Sequence, residues 1–350
     1  MNFSNAGLTK QCVLGVCSAL PIGVWHRLSG VELVLPYWHT VSNDDLKHIS
    51  GVQPYRNVAQ FRADIEYFLR HYEPVSLDEV MRWVDGAQGL PRRCFLPSFD
   101  DGLAEAYGVV APILQSLGVP AVFFITTSVL DNRRLCFAHR KSLVLHAAKS
   151  LRGTAAEREA GRLLKRAGYL EADIIAQIKS VRDHASAVLD AVAAIFGCDF
   201  GEYLRAWKPY LTCEQVTALL RSGFAIGAHS LDHPFYPDLE LSEQLRQTLE
   251  SVRILSSTFG YNCQAFAFPY MDRGIQPCFY EAAFRDSRLK LTFGTGGVRQ
   301  HFFQRNLSRI GMERGAVSAA QQLAAAFLRT LLHRMTIEDW CAHPFGSAIV

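Results

Sequence analysis

Strong charge of either sign is missing from this chain: 36 Lys and Arg against 33 Asp and Glu leave 36 − 33 = +3. So small an excess excludes reading the whole protein as a nucleic-acid or anionic-membrane binder on bulk charge. Cys-x-x-Cys spacing is missing too. The nine cysteines are odd in number and scattered, which argues against a disulfide framework and for a reducing compartment. Gly and Pro together make only 39 of 350 residues, and 20% of residues are charged. Neither a fibrous repeat nor a disordered chain has that composition, and no internal repeat or low-complexity segment is present. Long hydrophobic runs are also lacking. Residues 11–26 are uncharged and follow Lys10, but Gln11, Ser18, Pro21 and Gly23 dilute them, and no small-x-small cleavage site follows. Val16 before Cys17 does not suit a lipoprotein site. The uncharged run 106–130 holds Gly108, Pro112, Gly118 and Pro120, so it reads as helix, turn and buried strand. A soluble cytoplasmic protein is the expectation, with an exported or membrane-associated one as the alternative.

What is present is apolar material, 49% of the chain, enough for one α/β barrel with an insertion or for two domains. Val31 to Pro36 reads as a strand running into Tyr37-Trp38-His39. Residues 58–72 carry Phe61, Ile65, Phe68 and Leu69 at helical spacing, and Ser76-Leu77-Asp78-Glu79 has the form of a capping box. A strand from Cys94 to Phe99 ends in Asp100-Asp101-Gly102, followed by a helix over 103–117 and a strand from Ala121 to Thr126. Such alternation predicts parallel strands joined by crossovers.

The rhythm stops between about 132 and 210, where only helical patterns occur. Residues 139–208 hold 12 Lys/Arg and 8 Asp/Glu, a net of +4. That segment reads as a solvated helical insertion or as a basic lid over an anionic partner. Alternation returns with a capping box at Thr212 and strands at Phe224–Ala228, Gln264–Phe268, Leu289–Phe293 and Leu307–Met312. A last helix covers 316–335.

Three polar clusters each follow a hydrophobic strand: Asp100-Asp101-Gly102, His229-Ser230-Leu231-Asp232-His233 and Pro269-Tyr270-Met271-Asp272. In a parallel barrel the carboxyl ends of the strands share one face, so clusters far apart in sequence converge there, and Tyr37-Trp38-His39 should join them. Two histidines four apart and one carboxylate make a three-ligand site with an open position, which suits catalytic zinc. Consecutive aspartates diverge, so one can bind metal while its neighbour takes a proton from water. Singly, an Asp-Asp-Gly is more often a turn and a His-x-x-x-His more often a surface or satisfied pair; their joint placement at strand ends reverses that and favours a site.

Ser98-Phe99-Asp100-Asp101-Gly102, His229-Ser230-Leu231-Asp232-His233-Pro234 and Phe268-Pro269-Tyr270 resemble the ordered motifs of the polysaccharide deacetylases, the nodulation-factor deacetylase homology superfamily of carbohydrate esterases. The stretch from Val34 to Val80 is similar to the lead-in of many bacterial members. The resemblance implies a distorted (β/α)7-type barrel over 31–312 interrupted by the helical insertion; outside it, 1–30 read as a helical lead-in and 313–350 as a helix and tail. It implies a divalent metal, usually zinc, on Asp101, His229 and His233. Asp100 would be the general base, and the backbone N–H of Tyr270 would help hold the oxyanion. Two positions depart from the family pattern. Ala267 stands where an arginine often supports the catalytic aspartate. Arg309 could supply that charge from another strand, or be a surface arginine on an edge strand. Met271 stands where glycine is usual. His39 is the expected general acid, or else a structural cap of its strand, with His301 and His333 in poorer contexts. The implied activity is metal-dependent removal of N-acetyl groups from an acetamido-sugar polysaccharide, oligosaccharide or glycolipid, with possible contact to a membrane or lipid-linked glycan and none to nucleic acid. An O-acetyl ester or cyclic imide substrate is one alternative, and a glycan binder without turnover is another.

Overall fold

A computed structural model describes residues 20–298 and 303–342, excepting the side chains of 333–342. Residues 1–19 of the expected lead-in, His301 and the His333 side chain therefore lie outside the described residues.

The expected strands form, but shorter and in pieces. Val31–Pro36 becomes β1 (Leu33–Val34) and β2 (Pro36–Trp38), and Cys94–Phe99 becomes β4 (Cys94–Phe95) and β5 (Ser98–Phe99), with β3 (Glu73–Pro74) between them. The breaks at Leu35 and at Leu96-Pro97 let each chain leave one sheet for another, and Pro97 has no N–H to give to a ladder. β1, β4 and β3 form a small parallel sheet. The helix expected over 103–117 opens instead with a π-helical turn, Ala106–Val110, before the α-helix Ala111–Ser116.

The main sheet continues through β6 (Val122–Ile125), β7 (Ala225–Ala228), β8 (Ala265–Ala267), β9 (Leu291–Gly294), β10 (Asn306–Ser308) and β11 (Ile310–Gly311). Its order is β10-β9-β8-β7-β6-β5-β2-β11, parallel throughout. β10 and β11 are halves of one continuous stretch, 306–311. One half pairs with β9 and the other with β2, so this stretch closes the sheet into a distorted barrel of seven strands. Arg309 sits at the switch between the halves.

Closure explains the composition of the strands. Buried on both faces, β6 is Val-Phe-Phe-Ile and β9 is Leu-Thr-Phe-Gly, without polar alternation. Trp38 stacks on Phe99 and Phe99 on Phe123 across three neighbouring strands, at ring separations of 5.6 and 5.3 Å. The helix Val58–His71 buries Phe61, Ile65 and Phe68 against that aromatic row, each such side chain contributing about 1.5–3 kcal/mol. Capping boxes at Asn57, Ser76 and Thr212 start their helices as reciprocal side-chain and backbone bonds. The final helix, Ala319–Ala342, packs Phe327 against Trp25 and His26 of the helix Ile22–Ser29.

The insertion is helical as expected, with five α-helices from Phe137–Ser150 to Phe200–Trp207. It is more than a solvated appendage, because Phe137, Val144, Leu164, Ile178 and Leu189 build an apolar core of its own. Its two ends are pinned together. The Asn132 side chain donates to Tyr210 O at 3.0 Å and accepts from Tyr210 N–H at 2.9 Å. Among the described residues no helix is long and apolar enough to cross a membrane.

Candidate active site

Every expected site residue follows the carboxyl end of a barrel strand. His39 follows β2, Asp100 and Asp101 follow β5, His229 follows β7, Tyr270 lies just beyond β8, and Arg309 lies in the closing stretch. A cavity of about 320 Å³ is lined by His39, Asp100, Asp101, His139, His233 and Tyr270, among others. The backbone there is held in an uncommon conformation. Asp101, Ser230, His233 and Tyr270 all have positive φ, at 73°, 71°, 61° and 57°, a strain that persists where surrounding structure imposes it. Gly102 has φ 74°, and a Cβ there would come within 3.2 Å of Ile125.

Asp101 Oδ1 is buried and takes no hydrogen bond, yet it faces His233 Nε2 at 3.1 Å and His229 Nε2 at 3.4 Å. One ligand atom from each of the three residues lies within 4.8 Å of the others. His229 donates its Nδ1–H to Ala267 O at 2.8 Å, which leaves Nε2 bare toward Asp101, as a metal-binding tautomer requires. The neighbouring position Ala267, where an arginine was missed in the sequence, therefore orients a histidine through its backbone. Burial would raise the Asp101 carboxyl, but the charge of His233 and the three histidines around it hold it well below the ordinary range. An orphaned carboxylate oxygen among imidazole nitrogens fits a divalent cation, and zinc accepts this donor set.

Asp100 points to a different partner. Arg309 Nη1 donates to its Oδ1 at 2.6 Å and Nη2 to its Oδ2 at 2.8 Å, a bidentate fork. Arg309 is fully buried, bonds Ser98 Oγ at 3.1 Å, and lies under the Tyr37 ring. The surface-arginine alternative is thus corrected: its strand is the seam of the barrel and has no edge. Burial pushes the Asp100 carboxyl up, while Arg309 and His229 outweigh it and leave it lowered and ionised.

His39 Nδ1 is 2.6 Å from Glu313 Oε2, and the His39 backbone N–H donates to Glu313 Oε1 at 2.8 Å. Burial alone would depress the imidazole, but Glu313, with Asp101 and Asp100, raises it from 6.5 to about 9. Tyr270 presents its backbone differently. Its N–H has no acceptor among the described residues, its carbonyl accepts from Thr295 Oγ1 at 3.3 Å, and its ring packs edge-on to His233.

Two residues of this site were not read from the sequence. Glu313 lies 274 positions from His39; it directly follows the strand expected over Leu307–Met312, the same strand-end position that marks the motif aspartates. His139 comes from the insertion helix Phe137–Ser150. It is buried, with Nδ1 2.6 Å from Tyr210 Oη and Nε2 3.6 Å from Asp101 Oδ2. The only signal was its spacing four residues before Leu143 on the inward face of that helix.

The sequence profile described as Polysaccharide deacetylase matches residues 87–276. The chain belongs to the polysaccharide deacetylase family. As a family member it is a hydrolase of non-peptide carbon–nitrogen bonds that deacetylates glycans. Solved structures share the deacetylase barrel at low identity. The Streptococcus pyogenes deacetylase PplD in complex with acetate is 15% identical with a TM-score of 0.52, covering 86% of this chain and 98% of that one. IcaB from Ammonifex degensii is 16% identical with a TM-score of 0.54, covering 85% and 98%. A de-N-acetylase from Aggregatibacter actinomycetemcomitans is 16% identical with a TM-score of 0.50, covering 84% and 99%. No curated protein sequence matches the chain.

Proposed function

We propose that this deacetylase removes N-acetyl groups from an acetamido-sugar polysaccharide, oligosaccharide or glycolipid, using a divalent metal, zinc by preference, held by Asp101, His229 and His233. The observation that carries the reading is the division of labour between adjacent aspartates. Asp101 turns a bare oxygen to two histidines, while Asp100 is clamped by Arg309 in the same buried pocket. When bound, the cation supplies Lewis acidity toward the acetamido carbonyl and toward water.

The chain's own residues supply the rest. Asp100, kept ionised by Arg309, accepts the proton of the attacking water. The unengaged N–H of Tyr270 donates to the carbonyl oxygen as negative charge develops there. His39, protonated through Glu313, delivers a proton to the leaving nitrogen from the ring nitrogen that Glu313 does not take. A carboxylate-backed acid favours an amide over an ester, because an amine anion leaves far less readily than an alkoxide.

Acetate release from N-acetylglucosamine oligomers tests this directly. Asp100→Asn keeps shape but cannot accept the proton, so kcat should fall at least ~10²-fold while metal stays bound. An Asp100→Asn protein that turns over normally contradicts the assigned base.

A further inference from the structure

We propose that the enzyme recognises its glycan through an anionic group, a phosphate or a carboxylate, seated in a second cavity beside the Asp101 pocket. This rests on the deacetylase reading above and names the substrate class for that site. The second cavity is larger, about 630 Å³ against about 320 Å³. Tyr270, Met271 and Thr295 line both, so a glycan with its acetamido group at Asp101 runs past Tyr270 into this space.

The charges on the wall of the second cavity are mostly positive. Arg273 from the loop after β8, Arg314 from the turn after β11 and Arg329 from the terminal helix all line it. Arg309 lies beneath and is committed to Asp100. Among the described residues Asp272 is the one lining carboxylate, and it accepts from Thr295 N–H at 3.0 Å and from Asn306 Nδ2 at 2.9 Å. Arg273 and Arg314 are in no ion pair among the described residues. Ligand cavities are usually lined by apolar and aromatic side chains, but here Tyr270 is the one aromatic. Guanidinium groups brought from three separate elements onto one concave surface raise the local potential, and their planar forks match phosphate and carboxylate. A neutral glycan offers that wall hydroxyls but no charge to pair with.

The test uses three probes: N-acetylglucosamine tetramer as the neutral one, N-acetylglucosamine 1-phosphate, and a tetrasaccharide alternating N-acetylglucosamine with glucuronate. Binding is measured by calorimetry and turnover by acetate release, for the wild type and for the double variant Arg273→Gln/Arg314→Gln. At least one charged probe should bind about tenfold tighter than the neutral one, the scale of hydrogen bonds to charged groups. The double variant should erase that ratio, and rising salt should shrink it. The phosphate and glucuronate arms tell which source the site takes. The proposal is overturned if neither charged probe outbinds the neutral tetramer, or if the advantage survives the double substitution. Deacetylation of the neutral tetramer alongside such a result would leave the deacetylase reading standing. Arginine-dependent binding with no acetate released from any probe would instead remove the deacetylase reading and keep the anion site.

Discussion

At the scale of single residues, the site is organised by which partner each ionisable group is given. His39 owes its proton to Glu313. Its affinity rises from 6.5 to about 9 in the fold, so in the metal-free protein the pair stabilises fully below pH 6.5 and loses that contribution as pH climbs through 9. A bound divalent cation nearby lowers the upper limit. Glu313→Gln removes the charge while preserving size, so His39 should release its proton earlier. The alkaline limb of the kcat/KM profile on an N-acetyl substrate should move down by about one pH unit or more. A limb that stays in place assigns the acid to another group. The four motif residues Asp100, Asp101, His229 and His233 were legible because the aspartates follow one hydrophobic strand and the histidines another, a local signature. Glu313 shares that strand-end position, after Leu307–Met312, but stands there without a motif partner; His139 meets the site only through the docking of the insertion, which no local pattern encodes. Arg309 fell between. Its candidacy could be read, but its burial depended on a seam that alternation alone does not reveal.

Among the elements, the insertion changes most between sequence and structure. Charge and helical patterning were visible, but not that its first helix reaches the floor of the site. Ser142 on that helix accepts from Gly51 N–H at 2.9 Å and donates to Lys47 O at 2.6 Å. A Cβ at Gly51 would come within 2.7 Å of Ser142, so the close approach depends on glycine there. This docking fixes His139 one turn earlier, beside the second oxygen of Asp101. His139→Ala should therefore weaken metal affinity about 10–100-fold, the usual effect of losing a group that orients a ligand, with little change in the circular dichroism spectrum. Competition with a chelator measures it. An unchanged affinity would mean that His139 serves only to anchor the insertion through Tyr210.

For the molecule as a whole, barrel closure is what turns scattered motifs into one site. The strand and helix alternation was readable because each crossover needs its own amphipathic helix, and the capping boxes at Ser76 and Thr212 mark two of their starts. The breaks in β1–β2 and β4–β5 and the split closing stretch were not, since the first two arise where a chain passes between sheets and the third where one strand changes partner across the seam, which periodicity does not record. The barrel buries its core without the Asp101, His229 and His233 side chains, so a cation there serves chemistry rather than folding. Metal titration into metal-stripped protein, with acetate release followed in the same samples, tests this most directly. The wild type should take up one zinc ion per chain and regain activity in step. His229→Ala should keep its fold by circular dichroism, bind zinc at least ~10-fold more weakly, and release no acetate. Full activity in His229→Ala, or full activity of the stripped wild type, would contradict the account.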